Sequence, residues 1–171
     1  MIDRKARDEA ALALRRFISG QISNDDLVAR YPTSRDPAIA VFDSAIWFYY
    51  SDTHRHRMVG KYRLSASERR RIMLWILFLD SDRDYAWPAI DYPSADPRTR
   101  IRRMAGLRRL MTLGLSGALS GAQAKAFLAA GHYDSWPFIR QSDLRHALAH
   151  PRRFARSGEI SPAGAPRESA P

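Results

Sequence analysis

The stretch SASERRRIMLWILFLD, residues 65–80, decides the fold class, because its eight apolar residues from Ile72 to Leu79 fit a buried strand as well as a buried helix. Ser65 and Glu68 have the spacing of a capping box, in which each side chain accepts a hydrogen bond from the backbone N–H of the other residue. This pattern marks the start of a helix, and the segment is longer than most strands. The stretch therefore predicts a helix over residues 66–79.

Helix start and stop signals also precede this stretch. Residues 3–19 place apolar side chains on one face, and Gly20 is the expected C-terminal stop. Ser23 predicts the N-cap of a short helix that ends before Pro32.

Asp36 followed by Pro37 predicts the start of a third helix, which we expect to run to about residue 50. Its apolar residues cover most of its circumference, Trp47 and Phe48 included. A helix that is apolar almost all round is normally buried, so we expect this one to be central.

The C-terminal half predicts further helices from residue 97 onward, over residues 122–130 and over residues 142–150. Gly131 and Pro151 would close the last two. We find no Asn-Gly hairpin signal between alternating apolar runs.

These patterns predict an all-α fold with a single compact bundle of roughly six or seven helices. The helical domain would span residues 1–156, and residues 157–171, which are rich in Gly, Pro, Ser and Ala, would form a disordered tail. The 171 residues include 45% hydrophobic residues and no cysteine, which excludes disulfides, thiolate catalysis and zinc sites built on sulfur. We expect a cytoplasmic protein, since neither a signal-peptide pattern nor a membrane-spanning run is present.

Two segments combine aspartate, tyrosine and a Trp-Pro pair: DSDRDYAWP at 80–88 and YDSWPF at 133–138. Proline cannot continue a helix, so we expect Trp87 and Trp136 to fold back over the core, each indole N–H donating to a backbone carbonyl or an aspartate. The alternative is an aromatic pocket for a cation or a peptide. The candidate site residues of this acidic and aromatic loop are Asp80, Asp82, Asp84, Tyr85, Trp87 and Trp136.

The same loop resembles the first half of a calcium-binding loop through its alternating aspartates. Tyr85 stands where that loop requires glycine, and Asp91 stands where it requires a bidentate glutamate. We therefore predict no metal site and no cofactor.

The net charge of +10 favours an anionic partner through long-range attraction. Residues 98–109 concentrate this charge, with six arginines and no acid. The candidate anion- or partner-binding residues are Arg98, Arg102, Arg103, Arg108 and Arg109. A basic face of this kind suits an acidic protein surface, a phosphate backbone or, less well, an anionic membrane surface. Alternatively, the acidic loop at 80–96 pairs with the basic helices that flank it.

His146 and His150 are four residues apart on a predicted helix, so both would lie on one face. Arg140 or Arg145 followed by these histidines also has the loose Arg-then-His spacing of the all-α HEPN ribonucleases. We assign no catalytic residue, and a helical nuclease stays an alternative.

Five segments carry a resemblance: ISNDDLVARYP at 22–32, IWFYYSD at 46–52, FLDSDRDYAWP at 78–88, LMTLGL at 110–115 and WPF at 136–138. In these the chain resembles a group of small bacterial proteins of unassigned function, over about residues 10 to 150. The resemblance implies that both Trp-Pro segments belong to the common plan of the fold. It implies no activity.

We therefore expect a non-enzymatic accessory protein that binds another macromolecule with an acidic surface. The first alternative is a nucleic-acid-binding protein that uses the arginine-rich helix, and the second is the HEPN-like ribonuclease.

Overall fold

The structure is a computed structural model that describes residues 1–89, 97–98 and 118–150. These ranges contain no β-strand, and the predicted all-α fold is confirmed. Six α-helices have defined bounds: α1 Arg4–Ile18, α2 Asn24–Arg30, α3 Pro37–Ile46, α4 Ala66–Leu79, α5 Ala118–Ala130 and α6 Gln141–Ala149. Single 3-10 turns lie at Trp47–Tyr49, Gly60–Tyr62 and Tyr133–Ser135.

The predicted N-caps of three helices are confirmed. Ser23 caps α2, Asp36 caps α3, and Ser65 forms the capping box of α4 together with Glu68. Because each cap satisfies backbone N–H groups that have no partner inside the helix, these local sequence signals fix where the helices begin.

The third helix is shorter than expected. α3 ends at Ile46, and the backbone N–H of Tyr50 donates to the carbonyl of Trp47 across a 3-10 turn. The tighter turn moves the following side chains off the buried stripe of the helix. Trp47 and Phe48 are each 53% exposed, so the expectation that they are buried is wrong.

The core forms where α1 packs across α4 and where aromatic side chains meet from several segments. Phe42 of α3 stacks on Trp75 of α4 with ring centroids 5.6 Å apart. The same Phe42 ring contacts Tyr85 and Trp136 edge to face. One aromatic side chain of α3 therefore contacts both segments that contain a Trp-Pro pair.

A fully buried ion pair joins α1 to the start of α3. Arg7 donates from Nε to Asp36 Oδ2 at 2.6 Å and from Nη2 to Asp36 Oδ1 at 3.0 Å, and both side chains are 0% exposed. Asp36 also accepts from the backbone N–H groups of Asp3 and Ala38. Burial by itself raises the pKa of Asp36, but these hydrogen bonds outweigh it and the net pKa is lowered.

Arg7 also fixes the loop that follows α4. Its Nη1 donates to the carbonyls of Ser81 at 3.1 Å and Arg83 at 2.7 Å. Arg4 donates to the carbonyls of Leu79 and Ser81 as well. The last carbonyls of a helix have no partner inside it, so Arg4 satisfies the carbonyl of Leu79 at the end of α4. Both arginines hold the loop that follows against α1.

Several predictions lie outside the described residues. These are the disordered tail at 157–171 with the end of the 1–156 domain, the body of the helix predicted from residue 97, and the arginines Arg102, Arg103, Arg108 and Arg109. In the described part of the chain, every helix is too short or too polar to cross a bilayer.

Replacing Arg7 by Met is expected to lower the free energy of unfolding by about 3–5 kcal/mol, because Asp36 stays buried without its cation. Urea unfolding followed by circular dichroism measures the change. Lys5→Ala is the control: Lys5 lies two residues away, is 86% exposed and pairs with Glu9 at 4.0 Å, so its loss should have little effect. Equal effects of the two substitutions would contradict the role given to Arg7.

The carboxylate of Asp26, which belongs to the capping box of α2, predicts that the protein loses stability at acid pH. Hydrogen bonds from the backbone and hydroxyl of Ser23, assisted by Arg55, lower the pKa of Asp26 from 3.8 to about 2. A lowered folded-state pKa contributes stability that is present above the unfolded value and is lost as the pH falls through the folded value. The unfolding free energy should therefore fall between pH 3.8 and about 2. Asp26→Asn should flatten this dependence and Asp25→Asn should not, as measured by urea unfolding across this range.

Candidate functional site

The two Trp-Pro segments pack against each other inside the protein. Trp87 and Trp136 are 4% and 2% exposed, which confirms that their rings lie over the core. Trp87 Nε1 donates to the carbonyl of Pro137 at 2.8 Å, as expected for a backbone acceptor. Trp136 Nε1 donates instead to the hydroxyl of Tyr85 at 3.3 Å, so the expected carbonyl or aspartate is wrong for this residue. Burial raises the pKa of that Tyr85 hydroxyl to about 12.

The acidic side chains of the 80–88 loop turn towards α1. Asp80 pairs with Arg15 at 2.6 Å and Asp82 pairs with Arg4 at 3.2 Å, while Asp84 is exposed. Within the described ranges Asp80 and Asp82 therefore pair with α1; the alternative that the acidic loop pairs with the basic helices that flank it stays a prediction, because most of residues 98–109 lie outside those ranges. The reason for the pairing with α1 is that Arg4 and Arg7 already hold the backbone of this loop against α1.

An open cleft lies between α4 and the second Trp-Pro segment. Its volume is about 330 Å³, and we call it the arginine cleft. Its lining residues are Ser67, Arg70, Arg71 and Leu74 of α4, with Arg98, Tyr133, Asp134 and Trp136. The four residues of α4 are spaced at helical intervals, so one face of α4 forms one wall.

The charges in this cleft are mostly positive. Arg98 pairs with Asp134 at 3.1 Å, and its guanidinium lies 5.1 Å from the centroid of the Tyr133 ring. This contact orients the guanidinium over the ring face. Arg70 is exposed and has no ion pair with any side chain in the described ranges. The cleft thus combines a positioned guanidinium with an exposed one.

His146 of α6 and His150, which follows that helix, lie at a separate cleft of about 500 Å³. His146 and His150 stack with ring centroids 4.6 Å apart, as their spacing predicted. The charged residues beside them already have partners: Asp80 and Asp82 pair with α1, and Arg83 pairs with Asp143 at 3.0 Å. Within the ranges that the structure describes, no three His, Cys, Asp or Glu side chains come together to hold a metal ion.

Sequence reasoning predicted part of the arginine cleft. Arg98 and Trp136 were candidates, although in separate sites. Arg70 and Arg71 were not among the predicted site residues. The available signal was their spacing: Ser67, Arg70, Arg71 and Leu74 stand at i, i+3, i+4 and i+7, which places them on one face of a helix.

No protein-family model, curated protein or solved structure matches this chain. The resemblance to small bacterial proteins stays a prediction.

Trp87→Phe is expected to lower the free energy of unfolding by about 1–3 kcal/mol, because the carbonyl of Pro137 loses its buried donor and a small cavity opens. Trp47→Phe is the matched control, since the same change at a half-exposed ring should cost less than about 0.5 kcal/mol. Urea unfolding measures both. If the two variants are equally stable, the Trp87 hydrogen bond does not hold the two segments together.

Proposed function

We propose that the protein is a non-enzymatic binding protein of the cytoplasm and that it holds a polyanionic macromolecule at the arginine cleft. The single observation that supports this best is that Arg70, Arg71 and Arg98 line one cleft, where Asp134 is the one acid among the lining residues that the structure describes. A guanidinium group binds carboxylates and phosphates through two parallel hydrogen bonds, so such a cleft suits either kind of anion.

The dimensions of the cleft support a macromolecule over a small metabolite. A volume of about 330 Å³ is near the lower limit of ligand pockets, which typically enclose most of their ligand. An open cleft of this size has room for an anionic group and its neighbours on a larger surface. The net charge of +10 would add attraction at long range and speed the encounter.

The predicted arginine-rich segment supports the same interpretation. It begins at Arg98, which lies at the cleft itself. If the basic face predicted for residues 98–109 forms, it starts beside Arg70 and Arg71 and enlarges the positive surface.

Arg70→Ala is expected to weaken binding of a polyanion about tenfold, because one charge-assisted pair is lost. The probes are a fluorescent polyglutamate peptide and a fluorescent oligonucleotide, and the measurement is fluorescence anisotropy at about 50 and 200 mM salt. Arg69→Ala is the control: Arg69 is adjacent and exposed but lines a different depression, beside Ile18 and Met58. Both variants lose one positive charge, so general attraction would weaken them equally.

Two results would contradict the proposal. One is that neither probe binds the wild type at low salt. The other is that the wild type cleaves RNA and His150→Ala abolishes the cleavage, which would favour the helical nuclease instead.

A further inference from the structure

A half-exposed aromatic side chain lies where α3 passes into the 3-10 turn at Trp47–Tyr49. Trp47 is 53% exposed, whereas the other three tryptophans of the chain are at most 4% exposed. Its ring meets that of Tyr50 edge to face, with centroids 5.0 Å apart. A tryptophan left this open to solvent is characteristic of binding surfaces.

Two more rings lie beside Tyr50. His56 and Tyr62 stack with centroids 4.4 Å apart, and Lys61 Nζ lies 5.0 Å from the centroid of the Tyr62 ring. Tyr50, His56 and Tyr62 line a shallow depression of about 220 Å³, which Lys61 and Arg63 also line. We call Trp47, Tyr50, His56 and Tyr62 the aromatic surface.

The charge around the aromatic surface is positive. Residues 54–71 contain seven lysines and arginines and one acid, Glu68. The carboxylate of Glu68 accepts hydrogen bonds from the backbone N–H and the hydroxyl of Ser65, at 2.8 and 2.5 Å, so it serves the cap of α4. Lys61 and Arg63 form no ion pair with the side chains of the described ranges. The exposed rings are therefore bordered by two cations that have no anionic partner among the described residues.

The aromatic surface and the arginine cleft meet at the first turns of α4. Glu68 lines the aromatic depression, while Ser67 and Arg71 line the cleft. Tyr49 lies beside the aromatic surface. Burial raises the pKa of Tyr49, and the nearby charge of Arg71 partly opposes this rise. A single extended ligand can therefore contact both.

The aromatic surface and the arginine cleft favour different chemical groups on a ligand. An acidic protein surface would pair with the cations and leave the exposed rings unused, and a DNA duplex hides the faces of its bases. A single strand of nucleic acid offers bases that stack on aromatic rings and phosphates that pair with lysine and arginine. We infer that the polyanion is single-stranded nucleic acid, whose bases stack on the aromatic surface and whose backbone continues into the arginine cleft. This inference rests on the proposed function.

The test uses the full chain and a poly-dT strand of about twelve nucleotides, a length in the range that single-strand-binding domains cover. Stacking on Trp47 should quench the tryptophan emission that acrylamide can reach, because the other tryptophans are buried. Binding should be tighter to the single strand than to the matched duplex and to polyglutamate.

Variants separate stacking from charge. Trp47→Ala and Tyr62→Ala should each weaken poly-dT binding roughly tenfold or more without changing polyglutamate binding. Trp47→Phe should keep most of the affinity and lose the quenching signal. Leu148→Ala is the control for removing an exposed apolar side chain, since Leu148 is 60% exposed and lies on α6; it should bind as the wild type does.

The outcomes distinguish this inference from the proposed function. Polyglutamate binding that depends on Arg70, combined with poly-dT binding that ignores Trp47 and Tyr62, would overturn the inference and leave the proposed function standing. Equal affinity for duplex and single strand would overturn it too. If acrylamide fails to quench Trp47 in the free protein, the aromatic surface is already covered and the inference falls. Failure of both probes to bind would overturn both.

Discussion

The buried pair of Arg7 and Asp36 is the interaction on which the rest of the structure depends. Taking two charges out of water costs several kcal/mol per ion, which only excellent geometry and further hydrogen bonds can offset. Here the carboxylate accepts from Arg7, from the backbone of Asp3 and from the backbone of Ala38, while the remaining nitrogen of the guanidinium donates to the loop after α4. One side chain thus joins α1, the start of α3 and the loop after α4.

This set of contacts extends to the candidate site through the loop. The loop held by Arg7 carries Tyr85, whose hydroxyl accepts from Trp136 at 3.3 Å, and Trp136 lines the arginine cleft. The same loop carries Trp87, which donates to Pro137 in the second Trp-Pro segment. The position of the arginine cleft therefore depends on a series of buried polar contacts that begins at Arg7 and reaches Trp136 in the wall of the cleft.

The features that the sequence predicts well are local. Ser23, Asp36 and Ser65 were recognisable as caps because a cap depends on residues within one helical turn. Trp87 and Trp136 were predicted as buried because the proline that follows each excludes a continuing helix. The Arg7–Asp36 pair depends on residues 29 positions apart and has no such signal, although Arg7 stands on the same helical face as the buried Ala10 and Leu14.

The candidate surfaces were harder to predict for a related reason. Trp47 belongs to a run of four aromatic residues, and hydrophobicity alone assigns all of them to the core. Only the backbone shows that the helix tightens at Ile46 and turns Trp47 outward. Arg70 and Arg71 look like an ordinary charged face until the second Trp-Pro segment is seen across from them. The exposure of Trp47 and the position of the arginines opposite the second Trp-Pro segment both depend on how segments distant in sequence pack.

The long sequence separation between Arg7 and its hydrogen-bond partners has a consequence for biosynthesis. These partners lie 29, 74 and 76 positions further along the chain. Helix α1 is synthesised before all of these partners. Asp36 can pair with the guanidinium early, but the carbonyls of Ser81 and Arg83 that complete its hydrogen bonds, and helix α4 against which α1 packs, emerge later. Until α4 has emerged, the apolar face of α1 lacks its main packing partner. We therefore expect the nascent chain to expose an undocked amphipathic helix, to which chaperones can bind.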